Sequence, residues 1–146
     1  MTKSRIDYVK VAENGMNNMF KMEKYINSEF SLDKSLIELI KIRVSQINGC
    51  AYCLNMHTAE ARKAGETEQR IYLLSAWKET ELYTKREKTA LAFAEKLTCI
   101  SENTISNDFY EATKMEFNDK EFTDLIILVN QINAWNRISI SMANQI

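Results

Sequence analysis

Gly49-Cys50-Ala51-Tyr52-Cys53-Leu54-Asn55-Met56-His57-Thr58-Ala59-Glu60-Ala61-Arg62-Lys63-Ala64-Gly65 carries a helical pattern closed by a glycine, and it gathers two cysteines and the chain's only histidine within a few residues. At about 100° per residue, Cys50, Cys53 and His57 fall within an arc of roughly 60°. Leu54, Ala61 and Ala64 share that arc, whereas Tyr52, Asn55, Arg62 and Lys63 lie mostly opposite. The thiols and the imidazole therefore belong to the apolar, core-facing side of a helix over residues 50–64, in a sheltered pocket, with Gly65 as its left-handed C-cap.

The rest of the chain agrees with a helical fold. It has no proline and only three glycines, Gly15, Gly49 and Gly65, which leaves few places for the turns that strands need. The expected class is all-α: a compact domain of about six to seven helices with the CxxC near the start of a central one. The apolar periodicity predicts helices over 12–28, 33–48, 50–64, 67–77, 85–98, 107–117 and 119–143. Thr84 with Glu87, and Asn118 with Glu121, have capping-box spacing. No linker or low-complexity stretch divides residues 1–146, which read as a single domain.

Composition narrows the function. Of 146 residues, 45% are apolar, and 19 basic and 20 acidic residues give a net charge of -1. The charges are interspersed without a polybasic run, which argues against nucleic acid and against a membrane-surface patch. No stretch approaches the roughly 18 apolar residues of a membrane span, and residues 1–10 lack the apolar core and cleavage site of a signal peptide. A cytoplasmic location is the expectation. In a reducing compartment a closely spaced cysteine pair is more often catalytic or metal-binding than a structural staple. Cys99 reads as core filler.

Thiolate chemistry gives the pair its candidate roles. A cysteine attacks only when deprotonated, and a helix N-terminus and a nearby imidazole both favour the thiolate. His57 stands one turn after Cys53, where it can accept a thiol proton. Cys53 is the better candidate for the activated nucleophile and Cys50 for the thiol that closes a disulfide, although the spacing leaves the reverse assignment open. Oxidation by a peroxide would give a sulfenic acid, which a neighbouring thiol condenses to a disulfide before further oxidation.

An internal echo links two segments. Asp33-Lys34 through Gln46-Ile47-Asn48 resembles Asp119-Lys120 through Gln131-Ile132-Asn133, a pattern consistent with a duplicated helix pair or with chance. The second copy continues with Ala134, Trp135, Asn136 and Arg137 and lacks the thiols.

The run from Gln46 through His57 resembles the signature of AhpD-like alkylhydroperoxidases of the carboxymuconolactone decarboxylase superfamily. The likeness continues through 60–67, 77–80, 86–97 and 132–137. It implies an all-helical homo-oligomer that reduces hydroperoxides. By resemblance Cys53 is the peroxide-attacking thiol, Cys50 its disulfide partner, His57 the proton acceptor and Glu38 part of a proton relay. It requires no cofactor, and it suggests a lipoyl protein as reductant, a thioredoxin-like protein or small thiol being the other options. One departure stands out: Tyr52 occupies a position that is histidine in the better-characterised peroxidases. Tyrosine ordinarily titrates near 10, so it is a poor base at neutral pH. The decarboxylase branch, which acts on a lactone without a redox thiol pair, fits less well.

Other readings stand beside these. Without the resemblance, Glu38 shares a polar stripe with Lys34, Lys41 and Ser45 and reads as a solvated carboxylate. A zinc-binding structural or regulatory bundle would use Cys50, Cys53 and His57 with Glu38 or water, but three ligands from two turns of one helix are unusual for a structural site. A thiol redox sensor without turnover is a third option. The thioredoxin class needs a strand before its CxxC, which this pattern does not offer. Trp77, Trp135, Phe93 and Phe109 read as packing residues. Arg137 reads as an anchor for an unidentified carboxylate, and Met16, Met19 and Met22 as an adaptable apolar edge.

Overall fold

Helix starts in this chain are written by short polar residues. Asp7, Thr67, Thr84, Ser106 and Asn118 each accept, through the side chain, the backbone N–H three residues ahead, and Cys50 does so through sulfur. Each such bond satisfies a donor that the first helical turn leaves without a partner. The backbone N–H groups of Thr84 and Asn118 donate in return to the Glu87 and Glu121 carboxylates, completing the expected capping boxes.

The computed structural model describes residues 4–146; residues 1–3, part of the 1–10 stretch read above for a signal peptide, lie outside them. The described residues form eight α-helices and no strand: α1 (Tyr8–Val11), α2 (Glu13–Glu29), α3 (Lys34–Asn48), α4 (Ala51–Lys63), α5 (Glu68–Leu73), α6 (Lys85–Thr98), α7 (Asn107–Lys114) and α8 (Asp119–Ser141). The all-α class holds. Helix α1 was not anticipated, nor were two 3₁₀ segments, Leu74–Glu79 and Ile100–Glu102. The helix expected over 67–77 breaks after Leu73 and carries a non-helical residue at Ala76. Tertiary contacts hold the tighter turn: Trp77 is buried and its Nε1 donates to Glu95 at 2.7 Å.

Helix α3 is the axis of the fold, packing against α4, α6 and α8. Leu36, Ile37, Ile40 and Val44 face a core shared with Ile26, Phe93, Leu125, Leu128 and Ile132. Leu39 and Ile42 face a second one with Ala61, Leu74, Trp77 and Leu91. Burying each such side chain contributes about 1.5–3 kcal/mol, so α3 alone anchors both cores. Cys99 is not core filler: it is half-buried just past the C-terminal end of α6, where the helix gives way to the 3₁₀ segment. The methionines of α2 do not form an outer edge, since Met16 is buried and Met22 packs against the first core.

The two echoing segments lie side by side as α3 and α8. Their terminal asparagines meet: Asn48 Nδ2 donates to both Asn133 Oδ1 and Asn136 Oδ1 at 2.9 Å, and Asn136 Nδ2 donates to Ser45 Oγ at 3.0 Å. This buried polar clasp fixes the end of α3 just before the thiols. Gly49 then adopts φ +69°, a left-handed conformation open to glycine at little cost, and the chain turns into α4. Gly65 (φ +95°) closes α4 in the same way.

No helix among the described residues is long and apolar enough to cross a membrane.

Candidate active site

The turn at Gly49 delivers Cys50 to the N-cap of α4, so the helix expected over 50–64 begins one residue later, at Ala51. Its sulfur accepts the Cys53 N–H at 3.3 Å, and the two cysteines are joined as a disulfide with Cα atoms 5.3 Å apart. Cys53 sits in the first turn of α4 and His57 one turn further. Cys50, Cys53 and His57 are only 1%, 2% and 7% exposed, so the sheltered placement expected from the apolar arc is what the fold provides.

Glu38, on the preceding helix α3, reaches the histidine: its Oε2 lies 3.0 Å from His57 Nδ1. A carboxylate only accepts, so this contact places the proton on Nδ1 and leaves Nε2 as the lone-pair nitrogen of the neutral ring. Glu38 is thus not a solvated carboxylate. Beyond the exposed Lys34, the polar stripe of α3 turns inward toward α2 and α8, and Lys41 and Ser45 on it are buried. Lys41 Nζ lies 4.0 Å from Glu38 Oε1 and 3.2 Å from Glu23 Oε2 on α2. Glu23 Oε1 in turn accepts from Trp135 Nε1 at 2.8 Å. A continuous polar chain therefore runs from Trp135 through Glu23, Lys41 and Glu38 to His57. Lys41 makes it affordable, because a buried carboxylate without a counter-charge is strongly disfavoured.

These groups open on a cavity of about 600 Å³. Cys53, His57, Glu38, Lys41 and Glu23 contribute its polar part, while Phe20, Tyr52, Met56 and Trp135 supply apolar wall. Tyr8 and Val9 of α1 and Asn144 after α8 complete it. That corner is tied together by Asn144 Nδ2 donating to the Tyr8 hydroxyl (2.9 Å) and by the Arg5 N–H donating to Met142 O (2.9 Å). Ser139, buried on α8, also lines the cavity, and its Oγ has no hydrogen-bond partner among the described residues. At the exposed lip, the hydrogen bond from Lys63 holds the Glu60 carboxyl below the usual carboxylate range.

Cys50, Cys53, His57 and Glu38 thus come together as one constellation. Tyr52, 38% exposed, stands on the cavity wall between the cysteines. Trp135 packs on the first core but also serves the site. Arg137 is exposed and makes no ion pair among the described residues, so it anchors no carboxylate there. Glu23, Lys41 and Ser139 escaped the sequence reading; Trp135 and Glu23 are 112 residues apart, and only folding juxtaposes them. No group of three or more His, Cys, Asp or Glu side chains among the described residues is arranged to hold a metal, and the disulfide occupies both thiols.

The sequence model of the carboxymuconolactone decarboxylase family matches residues 14–96, which contain Glu38 and the CxxC-histidine run. An uncharacterized protein of Bacillus subtilis, YdfG, is 47% identical over 141 residues, covering 97% of this chain and 95% of that one. Among solved structures, a protein of unknown function from Agrobacterium tumefaciens that carries the name of the antioxidant defence protein AhpD superposes with a TM-score of 0.92 at 36% identity, covering 98% of this chain and 97% of that one. An uncharacterized peroxidase-related protein from Silicibacter gives 0.78 at 28% identity, over 87% of this chain and 67% of that one. With its family model matched over more than half of the chain and its helical scaffold superposing on these relatives, the chain belongs to the carboxymuconolactone decarboxylase family, on its AhpD-like side.

Proposed function

We propose that the protein is a thiol-dependent peroxidase that reduces organic hydroperoxides through a Cys50–Cys53 dithiol and disulfide cycle. The observation that carries this reading is the disulfide lying one turn from a histidine that a half-buried carboxylate orients, at the edge of a partly apolar cavity. In the reduced form His57 accepts the Cys53 proton. The thiolate attacks the terminal peroxide oxygen, the O–O bond breaks, and the alkoxide leaves as the alcohol after taking up that proton. Cys53 is now a sulfenic acid. The Cys50 thiol attacks its sulfur, water leaves, and the disulfide forms. A dithiol reductant, a lipoyl protein by family analogy, returns two electrons and two protons. Glu38 holds the imidazole in the tautomer this sequence needs. The protein works as a cytoplasmic homo-oligomer in this reading, with residues 1–146 as one domain.

The test is one equivalent of cumene hydroperoxide added to fully reduced, chelator-treated protein, with thiol counting, disulfide mapping by mass spectrometry and a metal assay before chelation. Loss of two thiols as a Cys50–Cys53 bridge is the expected result. Inert thiols with stoichiometric zinc in the untreated protein would overturn it. Cys53→Ser should abolish peroxide consumption, whereas Cys50→Ser should allow one oxidation and then stall at a sulfenate.

A further inference from the structure

We propose that Lys41 is a positioning residue for His57: its ammonium keeps the Glu38 carboxyl ionised, and through that carboxyl it holds the imidazole proton on Nδ1 and leaves the Nε2 lone pair free. The assignment of the proton rests on the geometry of the site; its bearing on catalysis rests on the peroxidase reading, in which that lone pair accepts the Cys53 proton.

Glu38 divides its two oxygens between a ring and a cation. Oε2 lies 3.0 Å from His57 Nδ1, and Oε1 lies 4.0 Å from Lys41 Nζ. His57 Nε2 has no hydrogen-bond partner among the described residues. Lys41 is the more deeply buried of the charged pair, its side chain 4% exposed against 16% for Glu38, and its own short contact is to Glu23 Oε2. The ammonium thus sits between two carboxylates rather than in a single ion pair. Among the described residues that line the cavity, Lys41 is the one lysine or arginine. The ionisable groups around it are Glu23 from α2, Glu38 on α3, His57, Glu60 and Tyr52 from α4, and Tyr8 from α1, while α8 brings Trp135 and Ser139, which carry no charge. Glu95 of α6 is engaged by Arg43, two positions further along α3, and Lys63 meets Glu60 at the lip. Glu23 and Glu38 are left to Lys41.

With the carboxyl ionised, Glu38 and His57 together hold one proton, and it belongs to Nδ1. Adding a second removes the lone pair by either route. Placed on the ring, it goes to Nε2 and gives the imidazolium. Placed on the carboxyl, it turns Glu38 into a donor to Nδ1, and the ring proton moves to Nε2. The two routes are one proton uptake by a coupled pair. Burial of the carboxylate and negative charge beside it favour that uptake, and an opposite charge within about 4–6 Å opposes it. Lys41 supplies the opposition, so the tautomer that Glu38 selects depends on the cation behind Glu38.

The chain contains one histidine, so labelling with ring-15N histidine reports His57 alone. Nitrogen spectra of the full-length disulfide form at neutral pH distinguish a protonated Nε2 from one carrying a lone pair, with no peroxide present. Wild type is expected to show the lone pair on Nε2. Lys41→Met should raise the ratio of Nε2-protonated to Nε2-free rings about tenfold at the same pH. Glu23→Gln with Lys41→Met strands one carboxylate rather than two, and should show the same rise relative to Glu23→Gln alone if the single variant is too unstable to measure. In a Glu38→Gln background Lys41→Met should change the ratio less than threefold, because no carboxylate remains to be kept ionised. Three outcomes overturn the proposal: a protonated Nε2 in wild type, a rise below threefold on loss of Lys41 from folded protein, or an equal rise with and without the Glu38 carboxyl. Absent peroxide turnover with the predicted spectra intact would remove the peroxidase reading and leave the role of Lys41 at His57 standing.

Discussion

Replacing Lys41 by methionine keeps most of the unbranched side chain and removes its charge. The Lys41 side chain is 4% exposed, and its Nζ lies 3.2 Å from Glu23 and 4.0 Å from Glu38. With an effective dielectric of about 20, those separations correspond to attractions of about 5 and 4 kcal/mol before desolvation is subtracted. Removing one partner of a buried pair costs about 3–5 kcal/mol, chiefly because the remaining charge stays buried. Glu23 and Glu38 keep side-chain exposures of 23% and 16%, so water relieves part of that cost. The expected loss is about 2–4 kcal/mol, which lowers the thermal midpoint of a chain this size by about 10 °C. Urea denaturation and calorimetry of the disulfide form at neutral pH measure it. A control carrying Glu23→Gln, Lys41→Met and Glu38→Gln together, with no charge left to strand, should recover about half of the loss. If Lys41→Met unfolds within about 0.5 kcal/mol of wild type, the polar chain from Trp135 to His57 is not held by its central cation.

Three further outcomes are expected. His57→Ala should slow alkylation of reduced Cys53 about tenfold at neutral pH and move its pH profile upward; an unchanged profile would remove the imidazole from thiol activation. Burial pushes the Glu66 carboxyl up, but hydrogen bonds from Arg70, the Thr67 N–H and Ser35 outweigh it and hold the group below its ordinary value of 4.5. A carboxylate depressed in the folded state stabilises above that value and loses its contribution as pH falls through the folded one, so wild type should lose more stability between about pH 5 and pH 3 than Arg70→Met does. Equal acid sensitivity of the two, read as urea midpoints, would contradict this. Asn118→Ala should cost about 1 kcal/mol and lower the thermal midpoint by about 3 °C, while Asn118→Ser holds close to wild type in the same melt.

The helices were legible because their punctuation is local. Thr84 and Asn118 cap within four residues of sequence, and Gly65 ends α4 through its own backbone freedom. The thiol and histidine cluster was legible for the same reason, all three groups coming from one turn-plus-helix segment. Burial of the polar stripe on α3 was not. Glu38, Lys41 and Ser45 follow the spacing of a solvated face, and only the arrival of α2 and α8 over them turns that face inward. The end of α5 at Leu73 was equally hidden, because the contact that holds the tighter turn after it, Trp77 with Glu95, crosses to α6. Ser139 carries no local signal at all: a serine late in an apolar helix looks the same whether its hydroxyl is satisfied or not.

The cavity draws its two halves from different parts of the chain. Glu23, Glu38, Lys41, Cys53 and His57 lie within residues 14–96, the portion matched by the family, while Tyr8, Val9, Trp135, Ser139 and Asn144 lie outside it. Part of the cavity wall is thereby inherited apart from the reactive groups, although Phe20, Tyr52 and Met56 lie within the matched portion. Substitutions at Tyr8, Val9 and Asn144 can reshape what the cavity admits without touching the disulfide, the imidazole or its carboxylate, whereas Trp135 is tied to them through Glu23 and Lys41. Two relatives with the same reactive centre can for this reason diverge in ligand, and residues 8–9 and 139–144 are where that divergence would be written.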